Sequence, residues 1–140
     1  MATESVATIL ERIAPATIQD WYELVLLDPT LTAIPMTREQ RCAHLPSLFR
    51  AIVLRLRSPA PQDAADPPSP DAANHGAARR LQGYSSAMMV DESRILQVSI
   101  FKALHKNRES MDFNRLLPAV ITIADEVDAQ LSRAVARCVA

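Results

Sequence analysis

The sequence predicts an all-α protein, a helical bundle with an aliphatic core. Hydrophobic residues make up 49% of the 140 residues and aromatic residues only 4%, so Leu, Ile, Val, Met and Ala must fill the interior. Glycine occurs only twice. Strong helix formers are frequent, and the alternation typical of β-strands is scarce. A chain of this length suits one domain, here residues 1–140, with an ordinary hydrophobic core.

The first helices are predicted from apolar residues that recur every three or four positions. One such face runs from Val6 to Ile13, and a second starts at Ile18. Pro15 lies between them, so it either ends one helix or opens the next. Trp21, the only tryptophan, is predicted to anchor the core.

Stop and start signals place the next helix boundaries. Pro29 ends the helix before it, because the residue that precedes a proline is disfavoured in the α region. Thr37 and Gln40 match a capping box, in which each side chain accepts a hydrogen bond from the other's backbone amide. Pro46 either begins a further helix or kinks a longer one.

A proline-rich stretch from about residue 58 to residue 71 is predicted to be a flexible loop. It holds five of the ten prolines and has no hydrophobic periodicity. So long a loop in a small domain indicates either mobility or a function. The helix that follows is predicted to be capped by Asp71 or Asn74.

A row of polar residues in this next helix is the candidate functional face. His75, Arg79, Gln82 and Ser86 recur at spacings of four, three and four, which places them on one side of a helix. An imidazole, a guanidinium and an amide in one row could bind an anion or a polar ligand close to a helix N-terminus. The alternatives are a solvated face, which such rows more often form, and a polar network between two helices.

An apolar stripe of the same segment is predicted to face the core. It contains Ala77, Leu81, Tyr84, Met88, Ile95 and Val98. Asp91 interrupts the stripe and could cap a separate helix that ends near His105. Gly83 is predicted to lie mid-helix, where glycine costs about 1 kcal/mol relative to alanine, so a close helix or ligand should compensate. The neighbouring charges, Asp91, Glu92 and Arg94, suit salt bridges better than acid–base catalysis.

The last helix is predicted to run from about Phe113 to Val139, with Pro118 as a second candidate for its start. Its apolar residues alternate at spacings of four and three: Phe113, Leu117, Val120, Ala124, Val127, Leu131, Ala134 and Cys138. This heptad seam is typical of a helix that packs along its full length against a partner. The predicted dimer and signalling surface therefore contains Phe113, Leu117, Val120, Val127 and Leu131.

Charge, hydropathy and motif content argue against several functional classes. A net charge of -1 with dispersed basic residues disfavours nucleic acid. No apolar run exceeds four residues and no basic n-region opens the chain, so neither a membrane helix nor a secretory signal is expected. Cys42 and Cys138 are isolated, as in a reducing cytoplasm, and Cys42 with His44 is too small a set for a metal site. Without a phosphate loop or a nucleophile elbow, no catalytic residue, metal or cofactor is expected, and the chain is not predicted to be an enzyme.

Two motifs near the centre of the chain resemble the signature of a known family. They read HGxxRxxQGYS from His75 and DExRxL from Asp91. The family is the RsbRD-type N-terminal sensory domain, named for RsbT co-antagonist proteins and also found at the front of bacterial histidine kinases. An early Ile-x-x-Trp from Ile18, a Leu-Pro helix start at Leu45, a variable loop and a long last helix agree in order. The resemblance covers roughly residues 9–136.

The resemblance implies a globin-like, cytoplasmic sensor without haem, usually a homodimer. Such a module relays a signal through helix packing, without catalysis, to a kinase or STAS-type output domain in cis or in trans. The ligand- or partner-binding residues that it implies are His75, Arg79, Gln82, Gly83, Tyr84, Glu92 and Arg94.

Two other functions are weighed against the sensor. A phosphotransfer module would use His75 as its phosphorylated residue, but Ala78 and Arg79 stand where a lysine and a glycine usually follow that histidine. A haem-binding globin would need a histidine in an apolar pocket, whereas His75 lies in a polar row and aromatic residues are few.

Overall fold

Helices form nearly all of the protein that the computed structural model describes, which comprises residues 3–58 and 70–138. Their bounds are α1 Val6–Leu26, α2 Pro29–Thr32, α3 Arg38–Cys42, α4 Leu45–Arg57, α5 Asp71–Leu81, α6 Ser86–Lys106 and α7 Phe113–Cys138. A 3-10 turn, Arg108–Ser110, lies between α6 and α7. The all-α bundle and its long C-terminal helix are thus confirmed. Most of the predicted proline-rich loop, residues 59–69, lies outside the described residues.

Side-chain caps and a proline fix where several helices begin. The Ser5 hydroxyl accepts a hydrogen bond from the Thr8 amide (3.1 Å) at the start of α1. The predicted capping box is present at α3, because the Thr37 amide donates to Gln40 Oε1 (2.9 Å) and the Gln40 amide donates to the Thr37 hydroxyl (3.1 Å). Pro46 lies in the first turn of α4, one of its two predicted places. These bonds satisfy amides that have no partner inside a helix.

Two predicted caps in the centre of the chain are wrong. Asp91 lies inside α6, because the Ser85 hydroxyl already caps that helix and accepts from the Met88 amide (3.2 Å). Asp71 is the first residue of α5 rather than its cap, and Asn74 lies inside the helix. One continuous helix, α6, therefore carries the whole segment after Ser85.

Two of the prolines that were considered as helix boundaries lie inside helices instead. Pro15 is within α1 and Pro118 is within α7. A proline leaves the carbonyl four residues earlier without an amide donor. Those carbonyls belong to Glu11 and Asn114, which are exposed, so water can bond them and the helices continue.

The core lies between α1, α4, α6 and the part of α7 from Ile123 onward. Its fully buried side chains include Ile9, Leu10, Trp21, Ile52, Ile100 and Ile123. Trp21 is therefore the core anchor that the sequence predicts. Its indole nitrogen also donates to the backbone carbonyl of Glu92 (3.2 Å), which ties α1 to α6.

Within the described ranges, α5 and α7 share the most extensive contact between two helices. Gly76 permits this contact, because a Cβ atom at that position would lie 2.0 Å from the Ala134 carbonyl oxygen. Only a residue without a side chain lets the two backbones approach so closely. A displacement of α5 toward α7 must therefore move α7.

The apolar stripe predicted for the central segment faces the core only in part. It is buried at Tyr84, Met88 and Ile95 and exposed at Ala77, Leu81 and Val98. Leu81 is 90% exposed, and α5 buries the polar row instead, so the solvated-face interpretation of that row is wrong at its first two positions. Burial of one leucine contributes about 1.5–3 kcal/mol. Each charge-assisted hydrogen bond contributes a similar amount, and the polar face forms several of them.

The heptad seam of α7 is divided between the interior and the surface. Val127, Ala134 and Cys138 are buried inside the bundle, whereas Phe113 is 84% exposed and Leu117 is 67% exposed. The seam therefore does not face one partner along its full length. Although α7 is the longest helix described, neither it nor any other helix in these ranges is long and apolar enough to cross a membrane.

The N-terminal segment is tied beside the start of α7. Glu4 and Met111 form an isolated β-bridge, in which the Glu4 amide donates to the Ser110 carbonyl (2.9 Å). Glu4 also forms an ion pair with Arg12 of α1 (2.7 Å). The first described residues and the first turn of α7 therefore lie on the same side of the molecule.

Candidate functional site

The carboxylate of Glu92 lies in the interior and accepts hydrogen bonds from three side chains. Tyr84 Oη donates to its Oε2 (2.7 Å), Arg79 Nε donates to its Oε1 (3.0 Å), and His75 Nε2 contacts the same oxygen (3.2 Å). Glu92 is only 4% exposed. A buried carboxylate is tolerated when it is paired and fully bonded, and this one is.

The Arg79 guanidinium joins Glu92 to the end of α3. Its Nη2 donates to the Arg41 carbonyl (2.7 Å), and its Nη1 donates to the Gln40 carbonyl (3.2 Å) and to Gln82 Oε1 (2.9 Å). The last carbonyls of a helix have no partner inside it and carry the negative end of its dipole. All three guanidinium nitrogens of Arg79 therefore donate hydrogen bonds, and this side chain links α3, α5 and α6.

A second buried guanidinium, that of Arg41, supports the same carboxylate through Tyr84. Arg41 Nη1 donates to Tyr84 Oη (3.2 Å), which in turn donates to Glu92. Arg41 Nη2 donates to the carbonyls of Ile34 (2.7 Å) and Leu31 (3.3 Å). We call Arg41, His75, Arg79, Tyr84 and Glu92 the Glu92 cluster.

His75 extends the cluster toward the surface through a second histidine. His75 Nδ1 lies 3.1 Å from Nδ1 of His44, and the two rings meet edge to face with centroids 5.1 Å apart. His44 is half-buried and immediately precedes α4. We call His44 and His75 the histidine pair.

A small cavity adjoins His75 and Glu92 in the centre of the bundle. Its volume is about 30 Å³, which leaves room for about one or two water molecules. Trp21, His75, Glu92 and Gln130 give it a polar side, and leucines of α4, α6 and α7 line the rest.

Burial and neighbouring charges shift the protonation of the site. Burial alone would raise the pKa of Glu92, but the hydrogen bond from His75 and the charge of Arg79 outweigh it and hold that pKa below its ordinary value. Burial and the adjacent carboxylate of Glu92 raise the pKa of Tyr84, so its hydroxyl stays a donor. Burial, followed by the charges of His75 and Arg79, lowers the pKa of His44.

Two glycines shape α5, and the sequence assigned the close contact to the wrong one. Gly83 does not lie mid-helix: it follows α5 with a φ of +99°, which favours glycine. Its amide donates to the Arg80 carbonyl (3.0 Å), and the Tyr84 amide donates to the Arg79 carbonyl (2.9 Å). This Schellman turn ends the helix and turns Tyr84 back toward Glu92. The close helix contact expected at Gly83 is made by Gly76 instead.

The structure brings four of the predicted site residues together and leaves others apart. His75, Arg79, Tyr84 and Glu92 meet in the Glu92 cluster, and Gln82 reaches its margin through Arg79. Arg94 is exposed on α6, and no hydrogen bond or ion pair in the described ranges links it to the cluster.

The sequence did not predict the roles of Arg41 and His44. Arg41 lies 43 residues before its partner Tyr84, and His44 lies 31 residues before His75. The periodicity of one helix cannot reveal partners so far away in the chain. Only one local feature pointed to Arg41: it is a charged residue at the end of the short helix that the capping box predicts.

The site offers no metal centre of the usual kind, and comparisons with known proteins add no assignment. No group of three or more His, Cys, Asp or Glu side chains within residues 3–58 and 70–138 is arranged to hold a metal ion. No protein-family model matches the chain, and neither a curated protein nor a solved structure shows significant similarity to it.

Proposed function

We propose that this chain is a non-catalytic sensory domain of a bacterial signal-transduction protein, of the RsbRD type that its motifs resemble. The observation that carries the proposal is the Glu92 cluster. Three motif positions, His75, Arg79 and Tyr84, converge on the buried carboxylate of a fourth, Glu92. A globin-like helix arrangement and a cytoplasmic location, where Cys42 and Cys138 stay reduced, belong to the same proposal.

A buried charged cluster suits a switch better than a purely structural core. A buried ion pair adds little stability over apolar packing, but loss of one partner strands the other charge. A ligand or partner that competes for Glu92 or Arg79 would therefore shift the balance between two helix packings, which need differ by only a few kcal/mol. The cluster joins α3, α5 and α6, so all three helices would respond.

The contact at Gly76 would pass such a change to α7. Because the backbones of α5 and α7 touch there, α5 cannot move toward α7 without displacing it. In this proposal, α7 carries the signal to a kinase or STAS-type output domain, in cis or in trans.

The first half of α7 is the proposed surface of a homodimer. Phe113, Leu117 and Ile121 are exposed one helical turn apart and form a continuous apolar stripe, which we call the exposed α7 stripe. Beside it lies a groove of about 440 Å³ between α6 and α7 that includes Phe101 and Val120. Isolated exposed apolar residues are common, but a stripe next to a groove of this size typically marks an interaction site.

The second half of the seam contributes less to this surface. Val127 is buried within the bundle and Leu131 is half-buried, so neither is freely available to a partner. The proposed dimer contact is therefore confined to Phe113, Leu117 and Val120 with their neighbours.

The phosphotransfer alternative has less support. His75 is 7% exposed, and both of its ring nitrogens already contact other side chains. A phosphoryl donor must reach one of those nitrogens, which the present packing prevents.

Hydrogen exchange of the full chain tests the relay. Glu92→Gln removes the charge that holds Arg79, so we expect faster amide exchange both in α5 and in the second half of α7, where Gly76 meets Ala134. Glu39→Gln, at an exposed residue of α3, is the matched control and should leave exchange unchanged. If α5 loosens in Glu92→Gln while α7 keeps its protection, the two helices are not coupled and the relay is wrong.

Light scattering over a range of concentrations tests the dimer. We expect a dimer for the unaltered chain, a monomer for Leu117→Glu, and a dimer for Leu54→Glu, a control at an equally exposed leucine of α4. A monomer at every concentration would contradict the proposed contact.

A further inference from the structure

We propose that the histidine pair is a proton-controlled latch that fastens the α3–α4 junction to α5 and opens when both rings are fully protonated. A hydrogen bond between the two Nδ1 atoms, 3.1 Å apart, needs one donor and one acceptor. Only one of these nitrogens can therefore carry a proton. When both carry one, two N–H groups face each other and the contact cannot persist.

Glu92 fixes the inner half of the latch. Its Oε1 lies 3.2 Å from Nε2 of His75 and accepts a hydrogen bond from that nitrogen. This bond places the proton of neutral His75 on Nε2 and leaves its Nδ1 as the acceptor for the Nδ1–H of His44. A first added proton goes to Nε2 of His44 and leaves the contact intact, whereas a second, on Nδ1 of His75, breaks it. Glu92 holds His75 in place, so the second proton must be accommodated by movement of His44.

His44 is the part of the latch that can move. It is half-buried, it immediately precedes α4, and its side chain makes no cap hydrogen bond to that helix. The adjacent α3 supplies the Gln40 and Arg41 carbonyls that hold Arg79. Release of His44 would therefore loosen a junction on which the Arg79 guanidinium depends.

Charged groups around the pair set the direction of the response. α5 presents Arg79 and Asp71, α6 presents Glu92, and α3 contributes Arg41, which reaches Glu92 through Tyr84. Of the residues that line the adjoining cavity, those from α7 are all uncharged. Burial and the positive charges outweigh Asp71 and Glu92, so a second positive charge on the pair is disfavoured in the folded protein.

The sign of the pH effect follows from this shift. The pKa of His44 is lowered below its ordinary 6.5, so the unfolded chain takes up a proton that the folded protein resists. The contribution of neutral His44 to the free energy of unfolding is therefore complete above pH 6.5 and is lost as the pH falls below that value. Acidification that adds both protons to the pair would open the latch. Its role as an input to signalling rests on the proposed sensor function, but the latch itself does not.

A titration of the unaltered chain by NMR tests the latch directly. The ring nitrogens of His44 and His75 are followed from pH 8 to pH 5, with His105, exposed near the end of α6, as the internal reference. We expect protonation of His44 at a midpoint below its ordinary value of 6.5, and loss of the contacts between the two rings once Nδ1 of His75 also carries a proton. Two rings that become doubly protonated while still in contact would overturn the proposal.

A substitution supplies a second, independent readout. In His44→Gln the amide can donate to or accept from His75 Nδ1, so the contact should survive at every pH. We expect the urea midpoint of the wild type and of the control His105→Gln to fall between pH 7.5 and pH 5.5, and the fall in His44→Gln to be less than half as large. An equal fall in all three would contradict the latch.

These results are separable from those that test the sensor. Neither the titration nor the denaturation series requires a dimer or an output domain. A pair that titrates as a latch in a chain without coupling between α5 and α7 would overturn the relay alone. A pair that titrates independently in a chain whose α7 responds to Glu92→Gln would overturn the latch alone.

Discussion

Glu92 is the residue on which the other buried polar groups most depend. Its two oxygens take hydrogen bonds from Arg79, His75 and Tyr84, and Tyr84 in turn accepts from Arg41. Two guanidiniums against one carboxylate leave the Glu92 cluster with one net positive charge while both histidines are neutral. Without the carboxylate, nothing in the cluster would offset the charge of Arg79, which is fully buried.

Removal of the Glu92 charge should destabilise the fold strongly. Glu92→Gln keeps the size of the side chain but strands the buried Arg79 charge. We expect the free energy of unfolding, measured in urea, to fall by about 3–5 kcal/mol. Glu39→Gln on exposed α3 should change it by less than about 0.5 kcal/mol. A loss in Glu92→Gln no larger than that of the control would mean that Arg79 finds another acceptor.

Among the helical elements, α5 is where local sequence and tertiary structure conflict. Its sequence places Leu81 on the face predicted to be buried, yet Leu81 is almost fully exposed. The opposite face is buried because it holds the glycine that lets α7 approach and the side chains that bond Glu92. A local apolar pattern predicts that the more hydrophobic face of a helix is buried. In α5 the buried face is instead the one whose side chains bond polar partners far away in the chain.

Substitution of the two glycines should distinguish close packing from backbone conformation. Gly76→Ala forces a methyl group into the Ala134 backbone. We expect the free energy of unfolding to fall by about 1–3 kcal/mol or more. Gly83→Ala strains a positive φ without a close clash, and a loss of about 1–2 kcal/mol is expected.

Ala77→Ser, at an exposed position of the same helix, is the matched control for both glycines. We expect it to change the urea midpoint only slightly. If Gly76→Ala were as well tolerated as this control, α5 and α7 would not pack as closely as described.

The sequence was sufficient for most elements and for part of the site. Helical spacing, the capping box at Thr37 and the row from His75 to Arg79 are local signals, and each led to a real feature. Pro15 was misread, because the carbonyl that it frees, that of Glu11, is exposed and can bond water, so the helix continues. Arg41 and His44 were missed because their partners lie 43 and 31 residues further along the chain.

For the molecule as a whole, α7 packs inside the bundle at its C-terminal end and exposes apolar side chains at its N-terminal end. Its second half covers α4 and α5, and the exposed α7 stripe occupies its first half. A heptad repeat records that a helix has a continuous apolar side. It does not record which part of that side is covered by the same chain.

Truncation of side chains in the two halves of α7 should therefore have opposite consequences. We expect Val127→Ala to lower the free energy of unfolding of the monomer by about 1–3 kcal/mol, since it leaves a cavity in the core. Leu117→Ala should change monomer stability by less than about 0.5 kcal/mol but weaken self-association. Urea denaturation at low concentration and light scattering at high concentration separate the two effects. Equal destabilisation by both changes would mean that the stripe is packed within the monomer.

The β-bridge between Glu4 and Met111 makes the N-terminal segment a natural place for a reporter of self-association. A 26-residue helix spans about 39 Å, so a fluorophore near Glu4 sits beside the first turn of α7, and one near Cys138 sits a full helix length away. In a pair of molecules joined through the exposed α7 stripe, two fluorophores near Glu4 would come within energy-transfer range of each other. An affinity tag attached at the same end would lie over the proposed contact and could hide it, whereas a tag beyond Cys138 would leave it open.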